Sequence, residues 1–185
     1  MSTNLKLLNT RDRFGLVSRF FHWTLAVLIF GMVALGVYMV GLTYYDPWYN
    51  RSEVIHKAVG IVGATLVLAK LVWSWFSPLP DHEPGLRPWE RMAAGVVQRI
   101  LVGLMIVMPV SGYIVSTSAG APVDLFGLAQ VPALLPKWVW LRDAAIQVHF
   151  VSVYGGMALA LLHAAAALKH HFINQDNTLR RMTWG

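Results

Sequence analysis

Residues 143–171 read DAAIQVHFVSVYGGMALALLHAAAALKHH. From Ala144 to Leu168 the stretch carries no formal charge, a run of 25 residues, and a helix needs about 20 to cross a bilayer. His149 and His163 interrupt it, 14 residues apart. That spacing is close to four turns at about 3.6 residues each, so both project from one face. At about 1.5 Å per residue they lie roughly 21 Å apart along the axis, one near each membrane surface. A polar residue inside a membrane is expensive and marks function by default. Two on one stripe suggest two stacked ligand positions. The competing reading is a pair of histidines hydrogen-bonded to neighbouring helices.

The rest of the chain fits a membrane setting. Charged residues make up 13%, against about 25% in a soluble protein, so a soluble domain is not expected. Trp, Phe and Tyr flank many of the apolar runs, as interfacial belts do. A net charge of +6 raises nucleic acid as a partner. The basic residues sit at the ends of apolar segments, however, which favours membrane topology over a nucleic-acid groove. Cysteine is absent. That excludes disulfides, thiolate zinc sites, cysteine-ligated iron–sulfur clusters and haem attached through C-x-x-C-H. Any metal is therefore held by His, Met or oxygen ligands. The N-terminal stretch MSTNLKLLNTRDRFGLVSRFF is followed by an apolar run too long for a signal peptide, with no small-residue cleavage pattern.

Four helices are expected, at about 18–42, 54–76, 91–117 and 143–171, forming an all-α four-helix transmembrane bundle and one domain over residues 1–185. Ser77 to Pro88, SPLPDHEPGLRP, is a proline-rich turn that no helix continues through. Pro109 is expected to kink the third span. The loop from Ser118 to Leu141 is long for a connection, so a short interfacial helix or a docking surface is expected there. Four crossings put both termini on one side. That side carries Lys6, Arg11, Arg13, Arg19, Arg87, Arg91, Lys169, Arg180 and Arg181, and the other carries Arg51, Lys57, Lys137 and Arg142. The imbalance predicts that both termini lie in the cytoplasm.

This topology sorts four histidines by depth. His22 begins the first span and His163 lies toward the end of the fourth, both on the side of the termini. His56 begins the second span and His149 the fourth, both on the opposite side. Charge counting set the direction of each helix without reference to the histidines, so the pairing is an independent result. Two facing histidines with no nearby carboxylate suit iron in a porphyrin, for which imidazole is a common axial ligand. A zinc or di-iron site would take three or four ligands, commonly including Glu, and no Glu or Asp falls within the helix interiors. Gly60, one turn after His56, with Gly63, Gly155 and Gly156, either gives a flat macrocycle room or lets helices pack closely. Lys70 lies 14 residues after His56, at the depth of the other pair. It either meets a haem propionate or snorkels from a helix end, and Arg99 has the same two readings. His82 is expected to be solvated. His170 and His171 are either interfacial residues or partners of a quinone carbonyl and its proton.

Several motifs carry a resemblance: FHW at 21–23, HK-x-x-G at 56–60, PVSGY at 109–113, LHAAAALKHHF at 162–172 and DNTLRRM at 176–182. With them the chain resembles the bacterial cytochrome b561 family of inner-membrane di-haem proteins over nearly its whole length. The resemblance implies two haems b, one between His22 and His163 and one between His56 and His149. It also implies a link to ubiquinone and, in its best-defined form, superoxide oxidation outside with quinone reduction. Relatives often place a histidine near the start of the third helix, where this chain has Gln98. The functional expectation is an electron-transfer protein in membrane lipid, between a periplasmic-side donor and ubiquinone. Superoxide is one candidate donor, drawn by Arg51, Lys57, Lys137 and Arg142. A relay subunit serving a separate redox protein is the alternative. A haem-free histidine proton relay is a third reading, and it predicts a colourless protein.

Overall fold

The computed structural model describes residues 7–183; Lys6, counted above among the basic residues, lies outside them. Four long helices dominate: α1 (Leu16–Val40), α2 (Tyr49–Phe76), α3 (Pro88–Thr117) and α4 (Val139–Phe172). All four are long and apolar enough to cross a membrane. At about 1.5 Å per residue they span about 37–51 Å, more than a hydrocarbon core of about 30 Å. Each helix packs on the next in sequence, and α4 closes on α1, giving a four-helix ring. Few side chains are fully buried, and residues such as Val27, Leu68 and Val151 are 62–73% exposed. In water such faces would be untenable; in lipid they are the outer surface of the bundle.

Two helices begin earlier than hydropathy suggests. α2 starts at Tyr49 and α4 at Val139, because polar turns above the apolar run satisfy their own backbone by staying helical. α3 starts at Pro88, whose missing N–H costs nothing at the first helical position. The extensions of α2 and α3 bring Glu53 and Glu90 into the helices, close to their starts, where Asp143 of α4 also lies. The expectation that no acidic residue lies within a helix is corrected to that extent. Glu90 is buried, its carboxylate accepting from the Arg87 backbone N–H at 3.0 Å and from Lys169 Nζ at 2.8 Å. It thereby ties the start of α3 to the end of α4.

The Ser118–Leu141 loop holds a two-stranded antiparallel hairpin, β1 (Val123–Asp124) with β2 (Gln130–Val131), and no interfacial helix. The reversal is made by Phe126 and Gly127, both at positive φ, with Asp124 accepting from the Gly127 N–H at 2.9 Å. Val123 is buried and β1 packs against α2. The Tyr113 hydroxyl, near the end of α3, donates to the Pro132 carbonyl at 2.6 Å and accepts from the Leu134 N–H at 3.0 Å.

At the opposite end the two termini meet. Asn9 binds the Ser77 hydroxyl and carbonyl, and its own side-chain oxygen accepts from the Gly15 N–H at 2.8 Å. A Cβ at Gly15 would strike the Leu7 and Leu8 carbonyls, so only glycine fits. The Arg181 guanidinium donates to the carbonyls of Asp12, Arg11 and Asp81 and pairs with Glu83 at 3.3 Å. Three separate segments are thus fastened by one side chain.

Candidate metal centre

α1 carries His22 in its second turn, and α4 brings His163 opposite, with ring centroids 6.4 Å apart. At the loop end, His56 of α2 faces His149 of α4, again with centroids 6.4 Å apart. All four rings are half-buried. The ring separation discriminates between chemistries. An N–H···N bond of about 2.9–3.0 Å between imidazoles puts their centroids near 5 Å. Two imidazoles on opposite sides of one metal, each nitrogen about 2.0–2.1 Å from it, put them at about 6–6.5 Å. Both pairs stand at the second distance. No group of three or more His, Cys, Asp or Glu residues converges among the described residues, so each pair would offer a metal two protein ligands. That donor set fits iron in a macrocycle that supplies the equatorial nitrogens.

Room for such a group exists around the second pair. A cavity of about 400 Å³ opens beside His56 and His149, lined mainly by Leu, Val and Met side chains and by Gly36, Gly60 and Gly112. Its polar rim includes Glu53 and Lys57, which pair with each other. Gly60 lines this cavity. A Cβ there would touch the protein only at Met32 Cε, 3.7 Å away, so internal packing does not itself demand glycine. Gly63 and Gly156 are packing glycines: a Cβ would meet Leu28 Cδ2 at 2.8 Å in the first case and clash with Met108 Cε in the second. Gly155 faces open space.

The glycines that face the imidazoles were not singled out from sequence. A Cβ on Gly36 would lie 3.3 Å from His56 Cε1, and one on Gly112 would lie 3.1 Å from His149 Cε1. Gly112 belongs to the PVSGY stretch, three residues after Pro109, which is where a signal existed. Ser111 was missed as well. Its Oγ lies 3.1 Å from His149 Nδ1, and the Met108 carbonyl lies 3.0 Å from the same nitrogen. On His56, by contrast, Nδ1 is buried without a hydrogen-bond partner.

The remaining predicted residues fall as follows. Lys70 is half-buried and lies within electrostatic range of His22. Arg99 is exposed, with its guanidinium folded back over Gly95, the geometry of a cation reaching toward a helix end. His82 is exposed. His170 is buried and bonded to the Asp176 carboxylate at 2.6 Å. His171 Nδ1 is buried and unpartnered. Burial alone would raise the Asp176 carboxyl; hydrogen bonds from the Thr178 backbone N–H and from His170 outweigh it and hold the carboxyl below the usual range. The steering argument needs correction. On the loop side, Arg51, Lys57, Lys137 and Arg142 are matched by Asp46, Glu53, Asp124 and Asp143, and Lys57 and Arg142 pair directly with Glu53 and Asp143. That end of the molecule has no net charge.

Residues 13–185 match the family described as prokaryotic cytochrome b561. Cytochrome b561 homolog 2 of Escherichia coli K12 is 39% identical over 174 residues, 94% of this chain and 93% of that protein. A probable superoxide oxidase, CybB, of Yersinia pestis is 27% identical over 87% of this chain and 90% of its own length. Cytochrome b562 of Cereibacter sphaeroides is 27% identical over 87% of this chain and 89% of its own.

Proposed function

The chain belongs to the prokaryotic cytochrome b561 family, and from that premise we propose that it carries two b-type haems and moves electrons between a donor on the loop side and ubiquinone. Membership makes it a multi-pass bacterial membrane protein of electron transfer that binds b-type haem. The number of haems, the donor, the acceptor and the cytoplasmic placement of the termini are our reading. The observation that carries it is the common 6.4 Å separation of the two histidine pairs, one at each end of the bundle.

Haem b, when bound, supplies one-electron chemistry between ferric and ferrous iron. The protein's part is to hold and surround it. His22 with His163 and His56 with His149 are the residues that would hold it. The apolar cavity lining keeps water from the metal and lowers the local dielectric. Lys70, half-buried beside His22, is placed to neutralise a propionate, and Gly60 gives the macrocycle access to α2. Near the termini, His170 is committed to Asp176, whereas His171 has an unpartnered Nδ1. Of the two, His171 is not committed to a carboxylate, so we assign to its ring the hydrogen bond to a quinone carbonyl at this end. Gln98 is exposed and leaves that role to α4.

Superoxide as donor is supported by the likeness to the probable superoxide oxidase of Yersinia pestis. A second reading, in which a separate redox protein delivers the electron, is favoured by the loop face itself. That face is neutral, so it offers an anion no net attraction, and it exposes Tyr44, Tyr45 and Leu128 to 76–92%. Two measurements test these readings. Purified protein should show a reduced-minus-oxidised haem spectrum with two haems per chain, and His149→Ala should lose one haem and keep the other. A ratio of one in the unaltered protein, or loss of both haems from this variant, contradicts the paired assignment. Mixing oxidised protein with a superoxide source and ubiquinone then separates donors: haems that stay oxidised there but reduce with a periplasmic extract favour the relay.

A further inference from the structure

The two histidines of the loop-end pair are held differently, and the difference lies in PVSGY. Met108 O can only accept a hydrogen bond, so His149 Nδ1, 3.0 Å from it, must carry the hydrogen. That fixes the tautomer and leaves Nε2 with a bare lone pair. Ser111 Oγ, 3.1 Å from the same nitrogen, must then accept from this N–H as well. Its own hydrogen is free to go to the Val107 carbonyl at 2.8 Å or the Met108 carbonyl at 2.9 Å. The hydroxyl is thus locked by its own helix with a lone pair aimed at the imidazole. Ser111 is 3% exposed, so water does not compete. Gly112, the next residue, removes the side chain that would hold the ring away. His56 has no counterpart: its Nδ1 is buried with no acceptor at all.

We propose that Ser111 is a positioning residue for His149, polarising its Nδ1–H so that this imidazole is the stronger and more anionic ligand of the loop-end pair. The inference rests on the haem reading given above. An imidazole whose N–H is shared between a carbonyl and a hydroxyl donates more charge through its other nitrogen, which favours the ferric state of bound iron. Ser111 therefore lowers the potential of the loop-end haem relative to what His56 and His149 would set without it. The termini-end haem, held by His22 and His163, is outside its reach.

The test is a spectroelectrochemical titration of the purified holoprotein and of Ser111→Ala and Ser111→Thr. His149→Ala, which lacks the loop-end haem, identifies which of the two midpoints belongs to it. Ser111→Ala should shift that midpoint upward and leave the other in place, and Ser111→Thr, which keeps the hydroxyl, should restore it. Loss of the loop-end haem in the alanine variant with retention in the threonine variant also supports the hydroxyl's role. An unchanged midpoint in Ser111→Ala with both haems present, equal shifts of both midpoints, or haem loss in both variants alike would overturn it. If the unaltered protein has only one haem, the underlying reading fails instead, and the titration shows this before any variant is compared.

Discussion

At Gly112 a single hydrogen atom decides how near an imidazole comes to α3. A methyl group there would stand 3.1 Å from His149 Cε1, tighter than ordinary contact, and overpacking of this kind costs about 1–3 kcal/mol. If each histidine pair holds a haem as proposed, Gly112→Ala is expected to displace the ring and lower the haem content from two per chain toward one, with the termini-end haem retained. Haem-to-protein ratio and the residual spectrum check this; a ratio that stays at two means the ring yields at no cost. The histidines themselves were legible in the sequence, because charge-free spans, a 14-residue spacing and a charge count order them by depth. Gly36, Gly112 and Ser111 were not. A glycine or serine acquires its meaning from whatever faces it across the bundle, and helical periodicity names a face without naming the neighbour.

Among the elements, the hairpin and the end of α4 are the parts that depend on single polar contacts. Tyr113→Phe removes both hydrogen bonds from α3 to the loop, each worth about 0.5–1.5 kcal/mol. Faster amide exchange across 123–134 is the expected result, with the haem spectra unchanged; exchange at the original rate would mean that Val123 alone anchors the hairpin. After α4, the Asp176 carboxyl is held below its usual range, so its contribution to stability is complete above the unfolded value of about 3.9 and is lost as pH falls through the lower folded value. The thermal-stability advantage over Asp176→Asn is accordingly expected to be constant above about pH 5 and to shrink below about pH 4. An advantage that grows on acidification would contradict the assignment. Hydropathy located the four helices well, since it measures apolar length. It misplaced the starts of α2 and α4 and gave no hint of the hairpin, because polar turns beyond the lipid obey local hydrogen bonding instead.

For the molecule as a whole, Arg181 is the fastening that joins the N-terminal arm, the α2–α3 turn and the chain's end. Its side chain is 13% exposed, and hydrogen bonds to charged groups contribute about 1.5–3 kcal/mol. Arg181→Met should lower the melting temperature by several degrees without altering either haem spectrum; a spectral change would mean that the fastening also shapes the termini-end pair. The four-helix bundle was legible in the sequence, but this fastening was not, since it depends on residues about 100 and 170 positions apart. It also has a practical corollary. Phe14 N–H reaches the Arg181 carbonyl at 3.4 Å, so the two ends of the described chain lie side by side. A short linker can therefore join them, and a cut in the exposed Tyr44–Tyr45 turn gives a circular permutant that begins with α2 and finishes with α1. Its new ends would open onto the opposite compartment, so a tag or protease site carried there reports sidedness directly while every helix keeps its neighbours.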